Sequence, residues 1–96
     1  MKSYLLVDIK IENHDQFREY AGQISDLIDK HGGHYLVRGA KPEIVSADTA
    51  VPEHIAVIEF PSNVATKAFL KERSDLGLAD LFSKATTSRI LTADGA

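Results

Sequence analysis

Cysteine is absent from the chain, which removes disulfides, thiolate metal sites and a cysteine nucleophile together and fits a reducing compartment. Runs of like charge are missing too. The seven lysines and four arginines are scattered among 14 acidic residues for a net charge of -3, so there is no basic stripe for DNA or RNA to follow. No apolar stretch is long enough for a membrane span or a signal segment; "MKSYLLVDIKIEN" alternates instead of running on. These absences predict a cytoplasmic protein with no nucleic-acid partner and no membrane association. Neither G-x-G-x-x-G nor G-x-x-x-x-G-K-[ST] occurs, and no serine sits in a G-x-S-x-G elbow, which argues against nucleotide phosphate binding and nucleophilic hydrolysis. His14, His31, His34 and His54 show no H-x-H or H-E-x-x-H spacing, so neither a metal nor a cofactor is expected.

What is present suits one small folded unit, residues 1–96. The hydrophobic set makes up 44% of the residues and charged residues 26%, close to the globular average. A domain of this length leaves about a third of its unfolded-chain surface wet, so any apolar face without cover favours association with a second copy.

The stretch "SYLLVDIKI" puts Leu5, Val7, Ile9 and Ile11 on one side and Tyr4, Leu6, Asp8 and Lys10 on the other, the period of a strand with one apolar face. Asn13 is an N-cap candidate with Gln16 three residues on. Phe17, Tyr20, Ala21, Ile24, Leu27 and Ile28 then recur at helical spacing until Gly32 and Gly33 stop the helix. "HYLVRG" reads as a second strand at the sheet edge, with "EIVSA" either extending it or starting again after Pro42. "HIAVIEF" has the near-continuous apolar character of a central strand covered on both faces. After Pro61, Ser62 or Asn63 caps a short helix with Val64, Ala65, Ala68 and Phe69 inward. A further helical piece runs from Leu76 to about Ala85, capped by Ser74 and Asp75, and "TSRILTA" forms the last strand before a flexible "DGA" tail.

The resulting order is that of an α+β, ferredoxin-like βαββαβ domain, whose right-handed crossovers place the helices on one face of a four-stranded antiparallel sheet. The other face has no cover within the chain. A homodimer packing two such faces together is therefore expected. "GGHYLVRGAK", "VIEFPS" and the opening strand followed by "HDQFREYA" together resemble the DUF1330 family over nearly the whole chain. That resemblance implies a dimeric α/β barrel and no particular reaction. Antibiotic-biosynthesis-type monooxygenases, muconolactone isomerases and EthD-like proteins share the barrel, and their activities transfer only by fold-level analogy. Where the family usually has an aromatic-rich helix, this chain has "AFLKERSDLGLADLF", without Trp or Tyr.

Arg38 closes the apolar run "HYLVR", and strict alternation groups it with His34 and Leu36, away from Tyr35 and the helices. A guanidinium cannot shed its proton to escape desolvation, so in a partly buried setting it needs an anion. Two readings follow: a structural ion pair with Glu59 across neighbouring strands, or a ligand-binding Arg38 with Glu59 moving a proton at a raised pKa. Asp8, on the less apolar side of the first strand, and His34, an imidazole on the expected pocket strand, are further candidate proton carriers, each also explicable as a solvated or structural group. The functional expectation is a cofactor-free isomerase or monooxygenase-like enzyme acting on a small organic acid, with Arg38 holding a small carboxylate ligand and Glu59, His34 or Asp8 carrying the proton. The alternative is a non-catalytic, dimeric ligand-binding or stress-associated module in which the same charges only stabilise the structure.

Overall fold

The computed structural model describes all residues, Met1–Ala96. Seven elements follow one another: β1 (Ser3–Ile11), α1 (His14–Lys30), β2 (His34–Ala40), β3 (His54–Phe60), α2 (Asn63–Asp75), α3 (Leu78–Ala85) and β4 (Thr86–Asp94). The strands form one antiparallel sheet in the order β2-β3-β1-β4, with both crossovers on the same side. This is the α+β ferredoxin-like topology the sequence pattern implies. No helix is long and apolar enough to cross a membrane.

The alternation in β1 buries Leu5, Val7 and Ile9 under the helices and leaves Leu6 exposed on the opposite, open face. In α1, the Asn13 side chain accepts a hydrogen bond from the Gln16 amide at 2.9 Å, and the apolar stripe buries Tyr20, Ile24, Leu27 and Ile28. The helix ends where Gly32 turns left-handed at φ 77°, and the Gly33 amide reaches back to the Ile28 carbonyl at 2.9 Å. Phe60, Phe69 and Phe82 complete the core with these side chains.

Five expectations change. β3 is central, but only its helix side is sealed: Ala56, Ile58 and Phe60 are buried, whereas Ile55 and Val57 are half-buried on the open face. "EIVSA" forms no strand, because Gly39 at φ 65° and Pro42, which lacks an amide donor, end the β2 ladder. α2 is rotated relative to the expected stripe, so that Thr66, Phe69 and Arg73 face inward while Val64 and Ala68 face out; Phe69 is its buried apolar residue in the core, with Ala65 and Leu70 packed against the same cluster. α3 starts at Leu78, not Leu76, since Gly77 at φ 76° breaks the chain between the two helices and leaves Leu76 exposed. The C-terminal tail is also tied down: Asp94 belongs to β4, and the Gly95 amide donates to the Lys2 carbonyl at 2.8 Å.

Gly33, just past the end of α1, packs tightly between that helix and the sheet. A Cβ there would lie 2.6 Å from the Phe60 ring and 3.0 Å from Ile28 Cγ2. Both neighbours are fully buried and cannot move aside cheaply. Gly33→Ala is therefore expected to destabilise the fold by about 1–3 kcal/mol through overpacking, measurable as a lowered midpoint in chemical denaturation.

Candidate functional site

Between the helix-facing side of the sheet and the helices lies a cavity of about 190 Å³. Its walls are almost wholly apolar, with Val7, Ile9 and Ala56 from the strands and Ile24, Phe69 and Phe82 from the helices. Two arginines break the apolar lining, Arg38 from β2 and Arg73 from the end of α2, each beside a tyrosine.

Arg38 reaches this side of the sheet because β2 is not a regular strand. Tyr35 opposes Ile58 and Val37 opposes Val57, so an extra residue is accommodated between them, and a second register shift follows before Ala40 meets Ile55. One extra residue reverses the face of everything beyond it. The expectation that Arg38 shares a face with His34 is thereby corrected: Arg38 lies with Tyr35 on the helix side. Its guanidinium stacks 4.8 Å from the Tyr35 ring centroid, and Nη2 donates to Ser25 Oγ of α1 at 3.1 Å.

Arg73 does not stand out in the sequence, where "KERSD" reads as a polar helix end. The spacing Thr66, Phe69, Arg73 was the available sign that it turns inward. Arg73 is 8% exposed, its Nε donates to the Tyr20 hydroxyl oxygen at 2.9 Å, and its guanidinium lies over the rings of Tyr20 (5.5 Å) and Phe82 (5.1 Å). Neither arginine has a carboxylate partner, and none of the lining residues is Asp, Glu or His. Burial holds the phenols of Tyr20 and Tyr35 above the usual tyrosine pKa, against the pull of Arg73 and Arg38 respectively, so both keep their protons at neutral pH.

The other sequence candidates stand on the far side of the sheet. Glu59 accepts from Lys2 Nζ at 2.8 Å, has His34 Nε2 at 3.3 Å, and lies opposite Tyr4 on β1. Arg38 and Glu59 do not pair, because the sheet lies between them. The Lys2 hydrogen bond outweighs burial and holds the Glu59 carboxyl below its usual pKa, the reverse of the raised value expected from an apolar strand. Asp8 faces Arg89 across β1 and β4, with Nε at 3.0 Å and a terminal nitrogen at 2.8 Å. The structure thus brings Glu59 and His34 together, leaves Asp8 in its own ion pair on the same face, and separates all three from Arg38. No three His, Asp or Glu side chains gather as a metal-binding set.

A four-stranded antiparallel sheet with its helices on one face and an apolar cavity beneath them places the molecule among ferredoxin-like α+β proteins. The chain belongs to the family described as Domain of unknown function (DUF1330), whose model matches residues 2–96. No curated protein matches it. Among solved structures, a protein of unknown function from Rhodopseudomonas palustris superposes with a TM-score of 0.79 at 12% identity, over 99% of this chain and 82% of that one. SnoaB, a cofactor-independent oxygenase from Streptomyces nogalater, gives a TM-score of 0.67 at 11% identity, over 99% and 93% of the two chains. A dimeric ferredoxin-like protein of unknown function from Thermobifida fusca gives 0.64 at 9% identity, over 99% and 92%.

The depressed Glu59 pKa fixes a pH dependence. A carboxyl whose pKa is lower folded than unfolded adds stability above its unfolded value, here near 4.5, and loses that contribution as the pH falls through the folded value. Glu59→Gln is expected to be less stable than the parent at neutral pH, with the difference shrinking below pH 4.5 as denaturation is followed by circular dichroism.

Proposed function

We propose that this protein binds a small organic acid in the cavity between sheet and helices, and that it does so as a homodimer joined through the open sheet faces. The observation that carries the binding reading is the pair of arginines without carboxylate partners in an otherwise apolar cavity with no acidic lining. The buried Arg73 gains far more from an anion than it would in water, Arg38 lies exposed at the edge of the cavity, and the planar fork of each suits a carboxylate. A dry cavity of about 150 Å³ holds benzene, so this cavity suits an acid built on roughly one ring or an aliphatic chain of similar bulk. Homodimerisation is supported by the apolar centre of the open face, where Leu6 and Leu91 are cross-strand partners about half exposed beside Val57, and by the dimeric state of the Thermobifida relative.

A catalytic reading, as a cofactor-free isomerase or monooxygenase-like enzyme, draws its support from the fold shared with SnoaB. The arrangement of side chains favours binding over catalysis. Glu59, His34 and Asp8 would have to reach through the sheet to touch a ligand at Arg38, and the cavity itself offers hydrogen-bond donors but no carboxylate or imidazole base. On this reading those three residues stabilise the open face and its dimer contact.

Thermal-shift and calorimetric titration with benzoate and short aliphatic acids tests the binding, since a ligand of the native state raises its melting temperature. Arg38→Ala is expected to weaken carboxylate binding by about 10- to 100-fold while leaving the dimer intact, as loss of a charged hydrogen bond would. No stabilisation by any carboxylate would sink the binding reading. Leu6→Lys, which sets a charge in the apolar centre of the open face, is expected to yield a folded monomer by light scattering; an unchanged mass would sink the dimer.

A further inference from the structure

We infer that Arg73 and the Tyr20 hydroxyl form a second anchor within this cavity, and that the ligand is two-ended, an apolar body of about one ring bearing an acceptor oxygen at each end, one for Arg38 and one for Arg73 with Tyr20. The inference rests on the acid-binding reading and adds the ligand's second recognition point.

The argument starts from Arg73 itself. A buried arginine ordinarily finds a carboxylate, and acidic side chains are close by in sequence. They are committed elsewhere: Glu72 holds Lys30 at 2.6 Å and His31 at 2.8 Å, and Asp75 holds Lys71 at 2.7 Å. Arg73 uses only Nε within the protein, toward Tyr20. Its terminal nitrogens make no hydrogen bond or ion pair in the chain, although a guanidinium carries five N–H donors. The rings of Tyr20 and Phe82, 4.8 Å apart, offer it cation–π contact and not a counter-ion.

Tyr20 completes the anchor. Its oxygen accepts from Arg73, and its own O–H makes no hydrogen bond within the protein. Because burial keeps that proton in place, the hydroxyl is a donor without an acceptor, in the lining of a cavity. Arg73 polarises it. Together they present a phenol and a guanidinium to one oxygen-bearing group, in surroundings dry enough to strengthen both bonds.

Arg38 belongs to a different set of supports, stacked on Tyr35 and bonded to Ser25, and shares no partner with Arg73. A carboxylate held by Arg38, which is exposed at the edge of the cavity, leaves the buried Arg73 and the Tyr20 hydroxyl without an acceptor. A hydroxy acid or a dicarboxylate on a one-ring frame satisfies both. The rest of the lining is apolar and fits the body between them.

Calorimetric titration of the full-length protein with benzoate, 4-hydroxybenzoate and terephthalate tests this. At least one of the two-ended acids is expected to bind about tenfold or more tightly than benzoate, the worth of one additional charge-assisted hydrogen bond. Tyr20→Phe, which keeps the ring, and Arg73→Met are each expected to abolish that advantage while benzoate binding through Arg38 persists. Melting temperatures of the ligand-free variants check that they fold, and if Arg73→Met does not, Tyr20→Phe alone decides. Benzoate binding with no gain from a second acceptor, or a gain that survives Tyr20→Phe, overturns the second anchor and leaves the acid-binding reading standing. Failure of every acid to bind removes both.

Discussion

The helices of this protein all pack on one face of the sheet, and successive side chains of a strand point to opposite faces, so the polar groups of the strands fall into two sets that cannot meet. On the helix side, where the apolar side chains form the core, a polar group that is buried, as Arg73 is and the exposed Arg38 is not, must be satisfied by something enclosed with it. Arg38 and Arg73 are the cationic groups that line the cavity on that side, and their companions are aromatic rings and hydroxyls. On the open face the polar groups answer one another as ion pairs, Glu59 with Lys2 and His34, and Asp8 with Arg89.

This division bears on stability. The open-face pairs are partly solvated and contribute modestly, as such pairs do. An arginine held at 8% exposure without a counter-ion carries a desolvation cost that the Tyr20 hydrogen bond and the ring faces offset only in part. A purely structural role is poorly served by that arrangement, since an apolar residue of similar volume would fill the space with less penalty. Departures of this kind from a fully satisfied interior concentrate at functional sites.

The similar structures show how little the fold alone says. A cofactor-independent oxygenase and two proteins of unknown function superpose on nearly the whole chain at 9–12% identity. At that distance the backbone is shared and the side chains that would do chemistry are free to differ. What distinguishes this chain is local: a bulged β2 that turns Arg38 inward, and an α2 whose last turn delivers Arg73 to Tyr20.

Period-two and period-3.6 patterns, the Asn13 cap and the Gly32-Gly33 stop are short-range features, and they were enough to determine the element order, the sheet edge at β2 and the apolar side of β1 and α1. Which residues line the cavity was settled only by tertiary packing. The bulge between Tyr35 and Val37 is a relation between two strands, invisible along one of them, and it reversed the face of Arg38. The rotation of α2 follows from its packing on α1, α3 and the sheet, and it carries Arg73 inward from a stretch that looks solvated on its own. Local pattern thus marks the apolar side of β1 and α1, but the register of β2 and the rotation of α2 depend on contacts between residues far apart in the chain, and those contacts decided which cations share a cavity.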